Sequence, residues 1–112
     1  MKLLTALLAV AAGASMAGAA SAADIVGNPK AAPLKIEACI GCHGIPDYKG
    51  TFPEVYRVPK IGGQSAKYIE AALQAYKKGD RNHPSMHGIA ASLSDQDIAD
   101  IAAYYSQQTP AR

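Results

Sequence analysis

The only two cysteines of this chain stand three residues apart with a histidine directly behind the second, in the run Cys39-Ile40-Gly41-Cys42-His43. On a helical turn, residues three apart share a face. Both thiols can therefore reach the vinyl groups along one edge of a porphyrin. One further residue turns about 100° around the helix, which brings the His43 imidazole beneath the iron as an axial ligand. The order Cys-x-x-Cys-His is read as c-type haem attachment, and a chain that carries it has to fold around that cofactor.

Attachment of haem to reduced cysteines takes place outside the bacterial cytoplasm, and the N-terminus agrees with that location. Met1-Lys2 supplies one positive charge, the apolar run Leu3 to Val10 follows, and a small-residue stretch ends in Ala20-Ser21-Ala22-Ala23-Asp24. This is the layout of a secretory signal with an Ala-x-Ala cleavage site. The expected cut is after Ala22, with Ala23 as the alternative. An uncleaved membrane anchor is the competing reading, but the Ala/Gly/Ser-rich second half is weakly hydrophobic for a spanning helix. Residues 1–22 are thus expected to be a signal peptide and 23–112 one small domain, directed to the periplasm.

Taking 22 residues from 112 leaves 90, enough for a single domain. A chain of that size buries little surface and sits near the margin of stability, so a large apolar cofactor is a welcome addition. The mature part has ten Lys/Arg, Lys2 being lost, against nine Asp/Glu. No basic block or aromatic-basic interleaving points to nucleic acid.

Helical periodicity dominates the rest. Leu34 and Ala38, four apart, predict a short helix across Ala31–Cys42, with Pro33 in its first turn. From Ile45 to Gly63 breakers crowd the chain: Pro46, Gly50, Pro53, Pro59, Gly62 and Gly63. One long loop is expected there, of the kind that wraps a cofactor edge. Ser65 reads as an N-cap for a helix with Tyr68, Ile69, Ala72, Leu73 and Tyr76 on one face, stopped by Gly79. Asp80–Leu93 reads as irregular, with Met86 on a non-helical stretch beside Pro84. A last helix starts at Ser94, with Asp95 and Asp97 in its first turn, an apolar face of Ile98, Ile101, Ala102 and Tyr105, and an end near Gln107. No segment alternates with period two, so the domain reads as helical.

With His43 on one side of an iron, function depends on the other side. A thioether there favours the reduced metal, raises the potential and closes the site to oxygen and peroxide. Met86 is the one methionine left after removal of Met1 and Met16. Its alternatives are simple core filling, His83 or His87 as rival ligands, or an open position; the two histidines read as solvent-facing loop residues.

Taken together, Cys39-x-x-Cys42-His43-Gly44, Pro59-Lys60-Ile61-Gly62-Gly63-Gln64, Tyr68-Ile69, His83-Pro84-Ser85-Met86, Leu93-Ser94-Asp95-x-Asp97-Ile98-Ala99 and Ala103-Tyr104-Tyr105 resemble a bacterial class I cytochrome c. The likeness is to a monohaem periplasmic cytochrome, or to one haem domain of the two-haem type, and covers essentially the whole mature chain. It implies an all-α class I fold of three to four helices and long loops wrapped around one haem. By position, it implies Cys39 and Cys42 as the thioethers of one haem c and His43 and Met86 as axial ligands of the iron. Pro59 matches the proline whose carbonyl accepts a hydrogen bond from the ligand imidazole, and Ile61 a residue packed on the haem face. The N- and C-terminal helices are expected to cross, with Tyr104 or Tyr105 against small residues such as Ala38. A single Cys-x-x-Cys-His departs from a complete two-haem protein. The segment Ile45–Val58 has no family match, which leaves Arg57 and Tyr56 as suggestions for propionate partners.

The leading reading is an electron carrier rather than an enzyme, with Lys60, Lys67, Lys77, Lys78 and Arg81 available to rim an exposed haem edge. Its partners are then redox proteins: a dehydrogenase or cytochrome donor and a terminal oxidase or reductase acceptor, with the membrane involved only if the signal is retained. The alternatives are a haem enzyme or ligand sensor with a displaceable sixth ligand, and a cytochrome subunit docked on a dehydrogenase. A haem-free dithiol oxidoreductase wants a strand before its Cys-x-x-Cys within a βαβ setting, and a zinc site wants more ligands than this chain clusters.

Overall fold

The computed structural model describes residues 24–51 and 54–110, so the expected signal peptide, residues 1–22, lies outside the described residues. A 3-10 turn at Ala32–Leu34 leads into α1 (Glu37–His43), and two short strands, β1 (Lys49–Gly50) and β2 (Tyr56–Arg57), follow. Then come α2 (Ala66–Lys78), α3 (Pro84–Ala91) and α4 (Asp95–Ser106). The architecture is all-α, with two-residue strands as the only sheet among the described residues.

The last helix forms where its local chemistry says it should. Ser94 Oγ accepts from the Asp97 amide at 3.1 Å, and Asp97 Oδ2 accepts from the Ser94 amide at 2.9 Å, a complete capping box. Asp95 and Asp97 lie at its positive end. Behind that cap α4 buries Ile98, Ala99, Asp100, Ile101, Ala102 and Tyr105, and its Ccap is Gln107. Burial of Ile98 and Ile101 stabilises the fold by roughly 1.5–3 kcal/mol each.

Helix α2 likewise obeys its signals. Ser65 Oγ accepts from the Tyr68 amide, and Gly79 takes the left-handed conformation, φ 85°, that ends the helix. Lys77 is drawn off the surface: its ammonium donates to the Leu93 carbonyl, which ties the end of α2 to the turn before α4. The buried face of α2 is narrower than expected, since Ile69 and Leu73 are buried while Tyr68 is exposed. These two join Ala32, Ile36, Ala90, Ile98, Ile101, Ala102 and Tyr105 in one core. α2 packs on both α3 and α4, and the 3-10 turn packs on α4.

Three expectations need correction. The chain does not run as one helix across Ala31–Cys42; the 3-10 turn ends at Leu34 and α1 begins at Glu37. The break lets Lys35 reach α4, where its ammonium meets Asp97 Oδ1 at 2.7 Å and Asp100 Oδ2 at 2.6 Å. It also reverses the inward face: Ala32 and Ile36 are buried, while Leu34 is 91% exposed and Ala38 is exposed. Tyr105 therefore shares the core with Ala32 and Ile36, not Ala38.

Secondly, Asp80–Leu93 is not irregular, and Met86 lies in the first turn of α3. The restriction imposed by Pro84 falls on the residue before it, and His83 is extended, φ −158° and ψ 106°. Pro84 itself opens a helix well, because its missing N–H is one of the first-turn donors that need no partner.

Thirdly, the long loop contains a small hairpin with Lys49 opposite Arg57 and Gly50 opposite Tyr56. Gly50 lets the Tyr56 ring lie close across the hairpin: a Cβ at this position would meet it at 2.4 Å, and the ring would have to move.

The N-terminal segment is fastened to α4 by polar contacts. The Asn28 amide donates to Asp100 Oδ1 at 2.7 Å, and Gln96 Nε2 donates to the same oxygen at 2.8 Å and to the Val26 carbonyl at 2.9 Å. Asp100 is 2% exposed, so its charge is stabilised by these donors and by Lys35 rather than by water.

Candidate functional site

α1 contributes no residue to the buried core, which leaves its side chains at the surface of the helical frame. Cys39 and Cys42 are both free thiols and both half-buried. Cys39 packs against the core, and so do Ile61 and Met86. Burial, and then the neighbouring Cys42, push the Cys39 thiol above its usual range. A nucleophilic redox thiol at that position would need the opposite shift. Among the described residues no three His, Cys, Asp or Glu side chains cluster as a metal site, which also disfavours zinc.

The last residue of α1 is His43, and its ring is held from outside the helix. His43 Nδ1 lies 2.6 Å from the Pro59 carbonyl oxygen. A carbonyl can only accept, so Nδ1 carries a hydrogen, and in the neutral ring the lone pair is then on Nε2. One loop carbonyl thus sets both tautomer and ring orientation, as an outer partner of a metal-ligating histidine does. Pro59 is itself exposed; its backbone oxygen, not its ring, makes the contact.

Met86 is half-buried at the start of α3, with its amide donating to His83 Nδ1 at 3.4 Å. The two rival histidines are placed differently from expectation. His83 is half-buried, edge-on to Tyr56 with ring centroids 4.7 Å apart and to Tyr76 at 6.3 Å. His87 is exposed but belongs to α3, and its Nδ1 lies 2.7 Å from the Tyr76 carbonyl. Each thus has one ring nitrogen engaged within the protein.

The structure brings His43 to Pro59, and places Cys39, Ile61 and Met86 against one apolar cluster. Two half-buried thiols, an imidazole with its tautomer fixed, a thioether and an isoleucine form a donor and packing set that fits haem c. Arg57 is engaged elsewhere, 3.5 Å from Asp47 at the exposed base of the hairpin. Arg81 stacks over the Tyr76 ring at 4.8 Å instead of standing apart as a solvated cation.

Sequence reasoning missed the grouping of Tyr56, Tyr76 and His83. Its signal was present in part, since a histidine directly before a proline and three before Met86 is an N-cap position. It also missed the Lys35–Asp97–Asp100 clamp, whose partners are too far apart in the chain to show a local pattern.

Comparison with known proteins agrees with the motif. The family model described as Cytochrome c matches residues 30–109. Cytochrome c-554(548) of Halomonas halodenitrificans is 47% identical over 85 residues, 73% of this chain and 98% of that protein. Cytochrome c4 of Pseudomonas aeruginosa is 36% identical over 91 residues, 81% of this chain but 43% of that protein. The crystal structure of reduced recombinant cytochrome c4 from Pseudomonas stutzeri superposes with a TM-score of 0.54 at 26% identity, covering 75% of this chain and 52% of that one. The chain thus spans nearly all of one relative and about half of the cytochromes c4.

Proposed function

This chain belongs to the cytochrome c family, whose cofactor is haem c and whose work is electron transfer, and on that premise we propose that it is a periplasmic one-electron carrier. In this reading Cys39 and Cys42 would form the two thioethers, and His43 and Met86 would hold the iron. Haem c, when bound, supplies the ferrous/ferric couple, and no substrate is transformed.

The protein's own residues do the rest. The Pro59 carbonyl holds the His43 ring by its Nδ1 hydrogen, which raises the basicity of Nε2 and fixes its direction. The thioether of Met86 would favour the reduced state and would keep small ligands from the iron. Ile61, half-buried against the same core as Cys39, would add apolar surface beside the cofactor. Fixed ligands on both faces mean little to rearrange between redox states.

The single observation that carries this reading is the 2.6 Å contact from His43 Nδ1 to the Pro59 carbonyl, which prepares the histidine of a Cys-x-x-Cys-His motif as a ligand. Periplasmic location rests on residues 1–22, read as a cleaved signal, and no described helix is long and apolar enough to cross a membrane. The partners are redox proteins that meet the exposed cofactor edge, a dehydrogenase or cytochrome on one side and an oxidase or reductase on the other. The test is the mass and the visible spectrum, in both redox states, of protein purified from a host that matures c-type cytochromes. The processed polypeptide plus one haem, retained on denaturation, is expected. A colourless protein with the mass of the bare polypeptide would end the reading.

A further inference from the structure

His83 touches Met86 through a polar contact and is also braced by two other elements. Its extended backbone lies just before Pro84, and its Nδ1 accepts the Met86 amide at 3.4 Å, so the side chain caps α3 at the turn that carries the thioether. Its carbonyl accepts from the His87 amide at 2.8 Å, the first bond of the same helix. Nδ1 must be the unprotonated nitrogen for this role.

The ring is held as well as holding. Tyr56, from β2, meets it edge-on at 4.7 Å, and Tyr76, from α2, at 6.3 Å. Tyr56 in turn lies over Gly50 across the hairpin, so closely that a Cβ there would meet its ring at 2.4 Å. Arg81 covers Tyr76, and His87 is tied to the Tyr76 carbonyl. The hairpin, α2 and α3 therefore converge on one imidazole, and that imidazole is bonded to the backbone of Met86.

We propose that His83 is the positioning residue of the Met86 side: it caps α3 on the Met86 amide and anchors that turn to Tyr56 and Tyr76, so that the thioether is held at one distance from the iron. This rests on the reading of Met86 as an axial ligand. His83 does for Met86 what the Pro59 carbonyl does for His43, one acting through an amide and the other through a ring nitrogen. A histidine N-cap is less common than Ser, Thr, Asp or Asn. A small polar cap reproduces the bond to the amide but not the aromatic contacts.

The experiment uses the full haem-loaded protein and measures the affinity of the ferric iron for added imidazole. It compares wild type, His83→Ala, His83→Asn, Met86→Ala and, as a cap lost elsewhere, Ser94→Ala. Loss of the cap and of the ring contacts should let the thioether leave more often, so His83→Ala should bind imidazole about tenfold more tightly than wild type, with His83→Asn recovering only the part due to the cap. Ser94→Ala should lower thermal stability without changing imidazole affinity, which separates positioning from general destabilisation. If Met86→Ala binds imidazole no better than wild type, the ligand assignment falls and this inference with it. If Met86→Ala binds more tightly but His83→Ala matches wild type, or matches Ser94→Ala, the positioning role alone is overturned.

Discussion

α4 and α3 are consecutive helices, yet they are built on opposite plans. α4 has a full capping box, six buried residues and a lysine from the N-terminal segment bridging two of its carboxylates. α3 buries only Ala90, is capped by a histidine, and leaves Met86 half-buried. α1 resembles α3 in this: it buries nothing and carries both thiols and His43. Stability and chemistry are thus divided along the chain. Helices α2 and α4 carry most of the buried helical residues, while the elements bearing the cysteines, the imidazole and the thioether lie against that frame with these groups only half-buried.

This division predicts two kinds of variant. The largest effect belongs to the chemical elements: Met86→Ala should lower the midpoint potential and open the iron to added ligands, while thermal stability changes far less. An unchanged potential would move the sixth ligand elsewhere and blur the contrast. In the frame, Ile98→Ala removes a fully buried side chain and should cost about 2–5 kcal/mol in unfolding experiments. Its redox potential, read by titration on the folded fraction, should stay that of wild type. A potential shift as large as that of Met86→Ala would show the two regions to be one.

Acid should act on the frame through its clamp. The Lys35 ammonium, with help from Ser94, lowers Asp97 from its ordinary 3.8 to about 2, and Lys35 with the Asn28 amide lowers Asp100. Carboxylates held below their unfolded values stabilise the fold above those values, and the contribution disappears as pH falls towards the folded ones. The wild type should therefore lose clamp stability between roughly pH 4 and pH 2. Lys35→Ala, less stable at neutral pH, should show a shallower loss over that window in denaturant titrations. Equal slopes would show that the clamp contributes nothing. The smallest effect is Ser94→Ala, which removes one cap and should cost about 1 kcal/mol with no spectral change.

What was legible in the sequence follows the same line. The frame announces itself locally: Ser65 and Ser94 cap, Gly79 stops, and apolar residues recur at helical spacing, because these elements are stabilised by neighbours three or four residues away. The attachment motif is equally local, so Cys39, Cys42 and His43 stand out without a structure. α3 was missed because the backbone restriction of a proline was assigned to Met86 rather than to His83 alone, and because a helix of eight residues shows little periodicity. The helix break at Lys35–Ile36 was invisible for another reason. It serves an ion pair with Asp97 and Asp100 across the fold, and nothing near Lys35 announces those partners. The Pro59 contact lies between these cases, since only the resemblance to known cytochromes singled out that proline. The histidine–tyrosine grouping depends on a hairpin whose strands are two residues long, too short to alternate.

Carbon monoxide offered to the reduced, haem-loaded protein at neutral pH tests the two-sided ligation most directly. With His43 and Met86 on opposite faces, the spectrum should stay unchanged over the time of mixing. Rapid and complete formation of a carbon monoxide adduct would mean that one face stands open, and a carrier with fixed ligands would no longer describe this protein.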